Sequence, residues 1–555
     1  MKSTRLKTFI ITSLLAFSFL WGCSENKIPV VATPTPGVEE TPAPQEEEVS
    51  VPQESTTSSA VIPAYEIPRV LDEKDYLRLI RIEPDVAEIS VDVSKMAGYK
   101  EGALYQVTLQ KADGTVAETD MQESKGKIRL SVTGYTWAEV SPVFRFAFGL
   151  SKTGFPDTDI NVTSTELYSP VGNWYGFYGK VDNLLNGVKL GSTGNYFVVA
   201  VPDGYYNILF TKHSTERSLI TVNGEAVGCN VGIYGAGGRS GIKPYTYYVE
   251  DVLAEGGILR IGMGEKDSSL TSVEIRHSSV LRPHKPHLYL AGDSTCSAYY
   301  PIETEKEPPR GRYQTGWGQL LHQFFDDNVA ITNLGSGGTC ARTWYDIAFG
   351  GVLQNAQAGD YFLIMHGIND QSYSNVDEMT QYLTDMIDKC REKGIIPILC
   401  TPIQSVKFWR DDKGKDLSEY EIPLGGGKAA YMNAIRKLAD KKGIFLIDVA
   451  NITGKQYGTL GRSYVAQNFH LFRSNLEEDT LHLSYAGAKN VASIIATELY
   501  RLQCEGSTDL TGAKVEGLGF NPMGTETLNY TDKDGNPAEM ILERISAVYK
   551  TYGIR

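Results

Sequence analysis

Little in this chain would tie it to a nucleic acid, a zinc ion or a bilayer core. Lys and Arg total 53 against 67 Asp and Glu, a net charge of −14, so it lacks the basic surface that a polyanion or an anionic membrane selects. The acidic run Glu46-Glu47-Glu48 supplies part of that excess. Past the first residues no run is long and apolar enough to span a bilayer. The seven cysteines (Cys23, Cys229, Cys296, Cys340, Cys390, Cys400, Cys504) form no Cys-x-x-Cys and no tight cluster with histidine, which argues against a structural zinc site. Histidine itself is scarce, at eight residues. What the chain does have is length and apolar content. Its 555 residues are 41% hydrophobic with 32 Tyr and 19 Phe, enough for a large core spread over roughly three to four domains.

The first residues are not fold. Lys2, Arg5 and Lys7 precede a short apolar stretch, 9–20, and then Leu20-Trp21-Gly22-Cys23. A signal peptide ends in small residues. Here the small residue is followed by Cys, which resembles the lipobox of bacterial lipoproteins; the alternative is an ordinary signal peptide with an incidental Cys. The resemblance implies that 1–22 is removed and that Cys23 is lipidated. The product would be an exported bacterial lipoprotein, anchored at the cell surface through its N-terminal lipid only. Residues 23–65 include "TPTPGVEETPAPQEEEVSVPQESTTSS", a Pro-, Glu- and Thr-rich tether that buries little and stays extended.

From 66 to 280 there is no long helical period. Stretches such as "LYQVTLQKADGTVAE" and "NYFVVAVPDGYYNILFTKH" alternate apolar and polar residues, and the pairs Asp113-Gly114, Asp203-Gly204 and Asn223-Gly224 supply turns. Two modules fit the length: a β-sandwich over 66–170 and a second over 171–280, with a seam near 166–172. The second loosely resembles galactose-binding-like jelly rolls; a structural spacer explains it equally well. The glycine-rich "YGAGGRSG" at 234–241 lacks the strand-then-helix context of a phosphate loop and reads as a plain loop.

After the proline-containing linker at 277–287 the pattern changes. "HLYLAG", "VAITNLG", "YFLIMHG", "GIIPILCT" and "GIFLIDV" are short continuous apolar runs, as expected of strands covered on both faces. Helical patterns lie between them. "VDEMTQYLTDMIDKCREKG" puts Met379, Leu383, Met386, Ile387 and Cys390 on one face. Alternation of strand and helix predicts a parallel sheet with helices on both sides over 287–503, with ligands bound outside the carboxyl ends of the strands. Residues 504–555 form a C-terminal extension with weak periodicity until "AEMILERISAVYKTYG", which reads as a closing helix.

Four strand ends or turns carry chemistry-bearing residues. Gly292-Asp293-Ser294 follows the first α/β strand; taken alone, it reads as a turn with a helix-capping serine well ahead of a nucleophile. Asp479 stands three residues before His482. An acid at that spacing can reach the histidine Nδ1 and fix its tautomer, leaving Nε2 to take a serine proton; a capping Asp with an incidental His is an equal reading. The glycine loop "TNLGSGGTCARTW" follows the second strand, and "HGIND" follows the third, offering the Asn369 amide. Both are also ordinary turn material.

Taken in order, these four blocks resemble the SGNH hydrolases, the GDSL-type esterases, over roughly 287–503. "GDST", "TGWGQLL", "GDYFLIMHGIND" and "DTLHLSYAGA" are similar, more narrowly, to rhamnogalacturonan acetylesterase-type carbohydrate esterases. The resemblance implies a three-layer αβα, flavodoxin-like domain with a five-stranded parallel sheet. It also implies a triad of Ser294, His482 and Asp479. Its oxyanion donors would be the Ser294 N–H, the Gly338 N–H (Gly337 is adjacent) and the Asn369 side chain. The implied substrate is an acetylated polysaccharide, pectin first, and the chemistry needs no metal or cofactor. This sequence departs from the pattern at Gly338-Thr339-Cys340, where Gly-Arg-Ser is usual, and at His366 and Ile368, where Gln and His are usual. Two insertions are expected to shape the cleft: 299–314 with Tyr299, and 403–427 with Trp409 and Arg410, the latter read somewhat sooner as a loop whose Trp plugs a domain seam. Cys296 and Cys340 are expected near each other. The rival readings are an acetylesterase for xylan or a host or envelope glycan, and an inactive glycan-binding surface lipoprotein.

Overall fold

The computed structural model describes residues 73–149, 159–169, 172–184, 187–191, 194–212, 217–231, 245–264, 269–299, 314–408, 429–472, 478–532 and 534–546. Cys23 and the tether lie outside the described residues, as do Trp409 and Arg410.

The N-terminal half is built of antiparallel sheets. In the first module, strands Arg78–Arg81, Trp137–Pro142, Leu104–Gln110 and Val116–Gln122 pair in that order, and Glu88–Asp92 pairs with Lys127–Ser131. Alternation explains the core between them: Ile128 and Leu130 point inward from a strand whose other residues are exposed, and meet Tyr105, Val107 and Val140. The seam between the modules differs from the expected one. Phe144–Phe148 leaves the first module and pairs with Ser269–His277 of the second, because its alternate aromatic residues, Phe144, Phe146 and Phe148, belong to the second core with Phe177 and Phe197. The change of sheet falls at Val143, not near 166–172. The boundary moved because strand alternation reads the same on either side of a module seam.

The parallel sheet forms as expected. Its strands are β1 (His287–Gly292), β2 (Ala330–Asn333), β3 (Tyr361–Met365), β4 (Ile396–Cys400) and β5 (Phe445–Ile447), in the order β2-β1-β3-β4-β5. Both faces are covered. Leu288, Leu290, Leu363 and Ile398 pack with α3 (Tyr485–Glu505) on one side. Tyr289, Ala291, Phe362, Ile364 and Leu399 pack with α1 (Val376–Glu392) and α2 (Ala429–Lys442) on the other. Burial on two faces is why these strands read as unbroken apolar runs. The order also sets the site: β1 lies between β2 and β3, so the loops leaving their three carboxyl ends are neighbours.

The C-terminal extension straps back onto this domain. Tyr361 Oη and the Glu516 backbone are 2.8 Å apart, and Arg391 pairs with Asp509 at 3.2 Å. The expected closing helix is corrected in its first part: Pro537–Leu542 is a strand paired with Glu526–Thr531. Met540 and Leu528 pack toward Tyr457, Val465 and Phe469, and this cross-strand and tertiary packing overrides the helical reading of "AEMIL".

Candidate active site

A tight turn lifts Ser294 off the end of β1. A side chain at Gly292 would put its Cβ 2.6 Å from the Cys296 Cβ, so only glycine permits the reversal. Asp293 builds the turn: its Oδ1 accepts Thr295 N (2.8 Å) and Thr295 Oγ1 (2.9 Å), and its carbonyl accepts Cys296 N, Ser297 N and Ser297 Oγ. The carbonyl of Ser294 in turn accepts Tyr299 Oη at 3.0 Å and Gln314 Nε2 at 3.3 Å.

His482 comes from the other end of the domain. Strands β6 (His470–Phe472) and β7 (Glu478–Leu483) form an antiparallel pair ahead of α3. His482 Nε2 lies 3.0 Å from Ser294 Oγ, and its Nδ1 lies 2.8 Å from Asp479 Oδ2. The other Asp479 oxygen, Oδ1, accepts the backbone N–H groups of Leu481 (3.1 Å) and His482 (3.0 Å). Burial works against a charge on Asp479, but the His482 ring and these N–H groups outweigh it and hold the carboxyl well below the usual carboxylate range.

The neighbouring loops are tied to the Ser294 turn. Ser336 N donates to Gly292 O at 2.9 Å, and Asn333 Nδ2 donates to Cys296 O at 2.9 Å. Asn369 Nδ2 donates one hydrogen to Thr339 O at 3.0 Å. Among the described residues the N–H groups of Ser294 and Gly338 have no acceptor; Gly338 is exposed, with φ +83°. Ser294, His482 and Asp479 are therefore brought together, and the three expected oxyanion donors sit on adjacent strand ends.

Several positions differ from expectation or carry no signal in the sequence. Tyr299, expected on a cleft wall, is buried at 3% exposure, and its hydroxyl donates to the Ser294 carbonyl. Cys296 and Cys340 are unpaired thiols: Cys296 Sγ faces Asn333 Oδ1 (3.4 Å) and Cys340 Sγ faces Thr343 Oγ1 (3.5 Å). Asp370, in a segment read as turn material, is fully buried and joins two loops through Ala341 N (3.0 Å) and Gly367 N (2.9 Å). His470, which has no carboxylate at short spacing in the sequence, is a backbone prop. Its Nδ1 lies 3.0 Å from His482 O and its Nε2 accepts Val406 N at 3.3 Å. Burial pushes its imidazole down to about 4, which keeps it neutral and suited to that pair of bonds. Only the pairing of β6 with β7 reveals this, and three residues of strand carry no sequence signal.

Asp293 gives a pH test of the turn. It is 2% exposed, and burial pushes its carboxyl up to about 6 against the Thr295 hydrogen bonds. A carboxyl raised in the folded state holds its proton more tightly folded than unfolded. Its contribution to stability is full below about pH 4 and is lost as pH rises towards 6. Asp293→Asn keeps an acceptor for Thr295 and removes the titration. Its stability relative to the native chain should rise between pH 4 and pH 7 by about 2 kcal/mol, measured by urea melts at both values. A pH-independent difference would show that Asp293 does not carry this shift.

Comparison with known proteins bears on the same residues. Residues 290–489 match the GDSL-like Lipase/Acylhydrolase family. The rhamnogalacturonan acetylesterase RhgT of Bacillus subtilis is 30% identical over 226 residues, 39% of this chain and 90% of that protein. An esterase of the same organism, YxiM, is 27% identical over 314 residues, 56% of this chain and 75% of that protein. The crystal structure of the Bacillus subtilis YxiM protein shares the fold, with a TM-score of 0.52 at 24% identity, over 65% of this chain and 98% of that one.

Proposed function

As the chain belongs to the GDSL-like lipase/acylhydrolase family through residues 290–489, we propose that it is a serine esterase that removes O-acetyl groups from a plant cell-wall polysaccharide, pectin or rhamnogalacturonan first. The observation that carries this reading is the unbroken line Ser294 Oγ, His482 Nε2, His482 Nδ1, Asp479 Oδ2, with steps of 3.0 Å and 2.8 Å across the two hydrogen bonds. The activity for which RhgT is named supports the choice of acetyl and of pectic sugar.

In this reading His482 Nε2 takes the Ser294 hydroxyl proton as Oγ bonds to the acetyl carbonyl carbon. The oxyanion rests on the Ser294 N–H, the Gly338 N–H and the second Asn369 amide hydrogen. Donors of this kind are each worth about 3 kcal/mol of barrier. Asp479, ionised and fixed by two backbone N–H groups, holds the imidazole in the tautomer that leaves Nε2 able to accept. Collapse breaks the bond to the sugar oxygen, which leaves as a hydroxyl with the proton from His482. Water then attacks the acetyl-serine, His482 takes its proton, acetate departs and the proton returns to Ser294. The reading includes export and a lipid anchor at Cys23, which would hold the enzyme at the cell surface on the tether that follows.

Acetate released from a panel of acetylated pectins, rhamnogalacturonan and xylan tests the substrate. Release from the pectic members is the expected result. Release from xylan alone would move the assignment to another glycan. No turnover of 4-nitrophenyl acetate, with retention on polysaccharide columns, would favour a glycan-binding protein.

A further inference from the structure

The second β module reaches the glycine loop of the candidate active site. Its strands Ser218–Val222 and Glu225–Val231 pair with the register Ser218↔Val231 and Ile220↔Gly228, so the second strand carries an extra residue. Bulges of this kind re-aim side chains. Asn230 lies in the bulge with φ +55°, a left-handed conformation in which Asn is enriched over most residues. Buried Lys212 ties the two segments together, its Nζ donating to Ser218 Oγ at 2.5 Å and Val231 O at 2.8 Å. Those are the immediate neighbours of Arg217 and Asn230.

The same strands are seated firmly on the catalytic domain. Ala226 and Cys229 are buried in a cluster with Trp344, Phe349 and Val352. From another strand of the module, Tyr245–Ala254, Leu253 N donates to Asn355 Oδ1 at 2.9 Å. A side chain at Gly351 would place its Cβ 1.9 Å from Ala226 O, so glycine there admits the strand. Packing therefore fixes Asn230 and Arg217 relative to the glycine loop.

Polar groups converge above Gly337. A Cβ there would lie 3.4 Å from Asn230 Nδ2, 3.4 Å from Tyr299 Oη and 3.6 Å from Arg217 Nη1. The Asn230 Nδ2 atom is buried and has no hydrogen-bond partner among the described residues. An unpaired buried donor on a strained backbone is costly to keep. A ligand oxygen would satisfy it. The amide and the guanidinium both donate, the complement of a carboxylate. Gly338, the adjacent residue, carries one of the N–H groups assigned to the oxyanion.

We propose that Arg217 and Asn230 form a subsite that holds a carboxylate of the acetylated saccharide, so that the second β module is part of the active site and not a spacer. The proposal rests on the esterase reading of Ser294. It makes specificity depend on two residues that lie outside the family match at 290–489.

Selectivity is the readout: kcat/KM on acetylated polygalacturonate divided by kcat/KM on the same polymer after methyl esterification of its carboxylates. The full chain should favour the charged polymer at least about tenfold, a difference of ~1.4 kcal/mol, and added salt should reduce that preference. Arg217→Gln should lower the ratio about tenfold through KM on the charged polymer. Asn230→Gly, which suits the left-handed backbone, should lower it in the same direction. A native ratio near one, or variants that keep the native ratio, would overturn the subsite while turnover of 4-nitrophenyl acetate leaves the esterase reading standing. Absence of that turnover in the native protein would instead overturn the esterase reading, and the subsite with it.

Discussion

Ser294→Ala is expected to lower kcat on acetyl esters by roughly a million-fold and to leave the fold unchanged. The first part follows from the proposed mechanism: there Oγ is the atom to which the acyl carbon bonds, and without it only the oxyanion donors and substrate binding remain. The second follows from contacts. Among the described residues Ser294 Oγ has a single partner, His482 Nε2, whereas the turn is held through backbone atoms. Tyr299 and Gln314 donate to the Ser294 carbonyl, and Asp293 binds Thr295, Cys296 and Ser297. None of these bonds is lost with the hydroxyl, so stability should stay within about 0.5 kcal/mol of native. Acetate release and a thermal melt on the same sample check both halves. Residual activity near the native level would place the nucleophile elsewhere.

Asp479→Asn should cost roughly 10⁴ in kcat. The isosteric amide can still accept Leu481 N and His482 N through one oxygen, so the loop should survive. What it cannot do is accept the Nδ1 hydrogen with a charged oxygen. An NH₂ group facing Nδ1 favours the tautomer with its proton on Nε2, which cannot act as base toward Ser294. The loss should therefore appear in kcat more than in KM. A pH consequence accompanies it. Asp479 is held well below the usual carboxylate range, so the charged form is the one the fold stabilises. That contribution is complete above the unfolded value of about 3.9 and is lost only as pH falls through the lower folded value. Protonation of Asp479 should thus not limit the native enzyme in mild acid. Near-native kcat in the Asp479→Asn variant would show that Asp479 does not orient His482.

How much of this could be read in advance depended on the range of each signal. The parallel sheet was legible because strands buried on both faces are apolar without alternation, as in Tyr361–Met365. Ser294, Asp479 and His482 were legible because their order along the chain is distinctive, although the spacing of 188 residues between serine and histidine gives no hint of contact by itself. The props behind them were not. Tyr299 looked like a cleft residue, and nothing in the sequence shows that its hydroxyl hydrogen-bonds to Ser294 O. Asp370 and His470 bind backbone atoms, and backbone atoms leave no residue-type signal. The β-module seam at Val143 was missed because strand pairing is a long-range choice. Phe144–Phe148 joins Ser269–His277 across more than a hundred residues, while its local pattern fits either sheet. The convergence of Arg217 and Asn230 on Gly337 lies further still from any sequence pattern, since it needs the bulge, the Lys212 clamp and the seating of two modules at once.

The most direct test of Ser294 as the nucleophile is to capture the acyl-enzyme. The native chain is mixed with 4-nitrophenyl acetate, quenched in acid before the steady state, digested and mapped by mass spectrometry. The predicted result is an acetyl group on Ser294, formed in a burst with 4-nitrophenol and missing from Ser294→Ala. Acetyl on a different residue, or turnover with no covalent intermediate and no burst under conditions where deacylation is slowed, would contradict it.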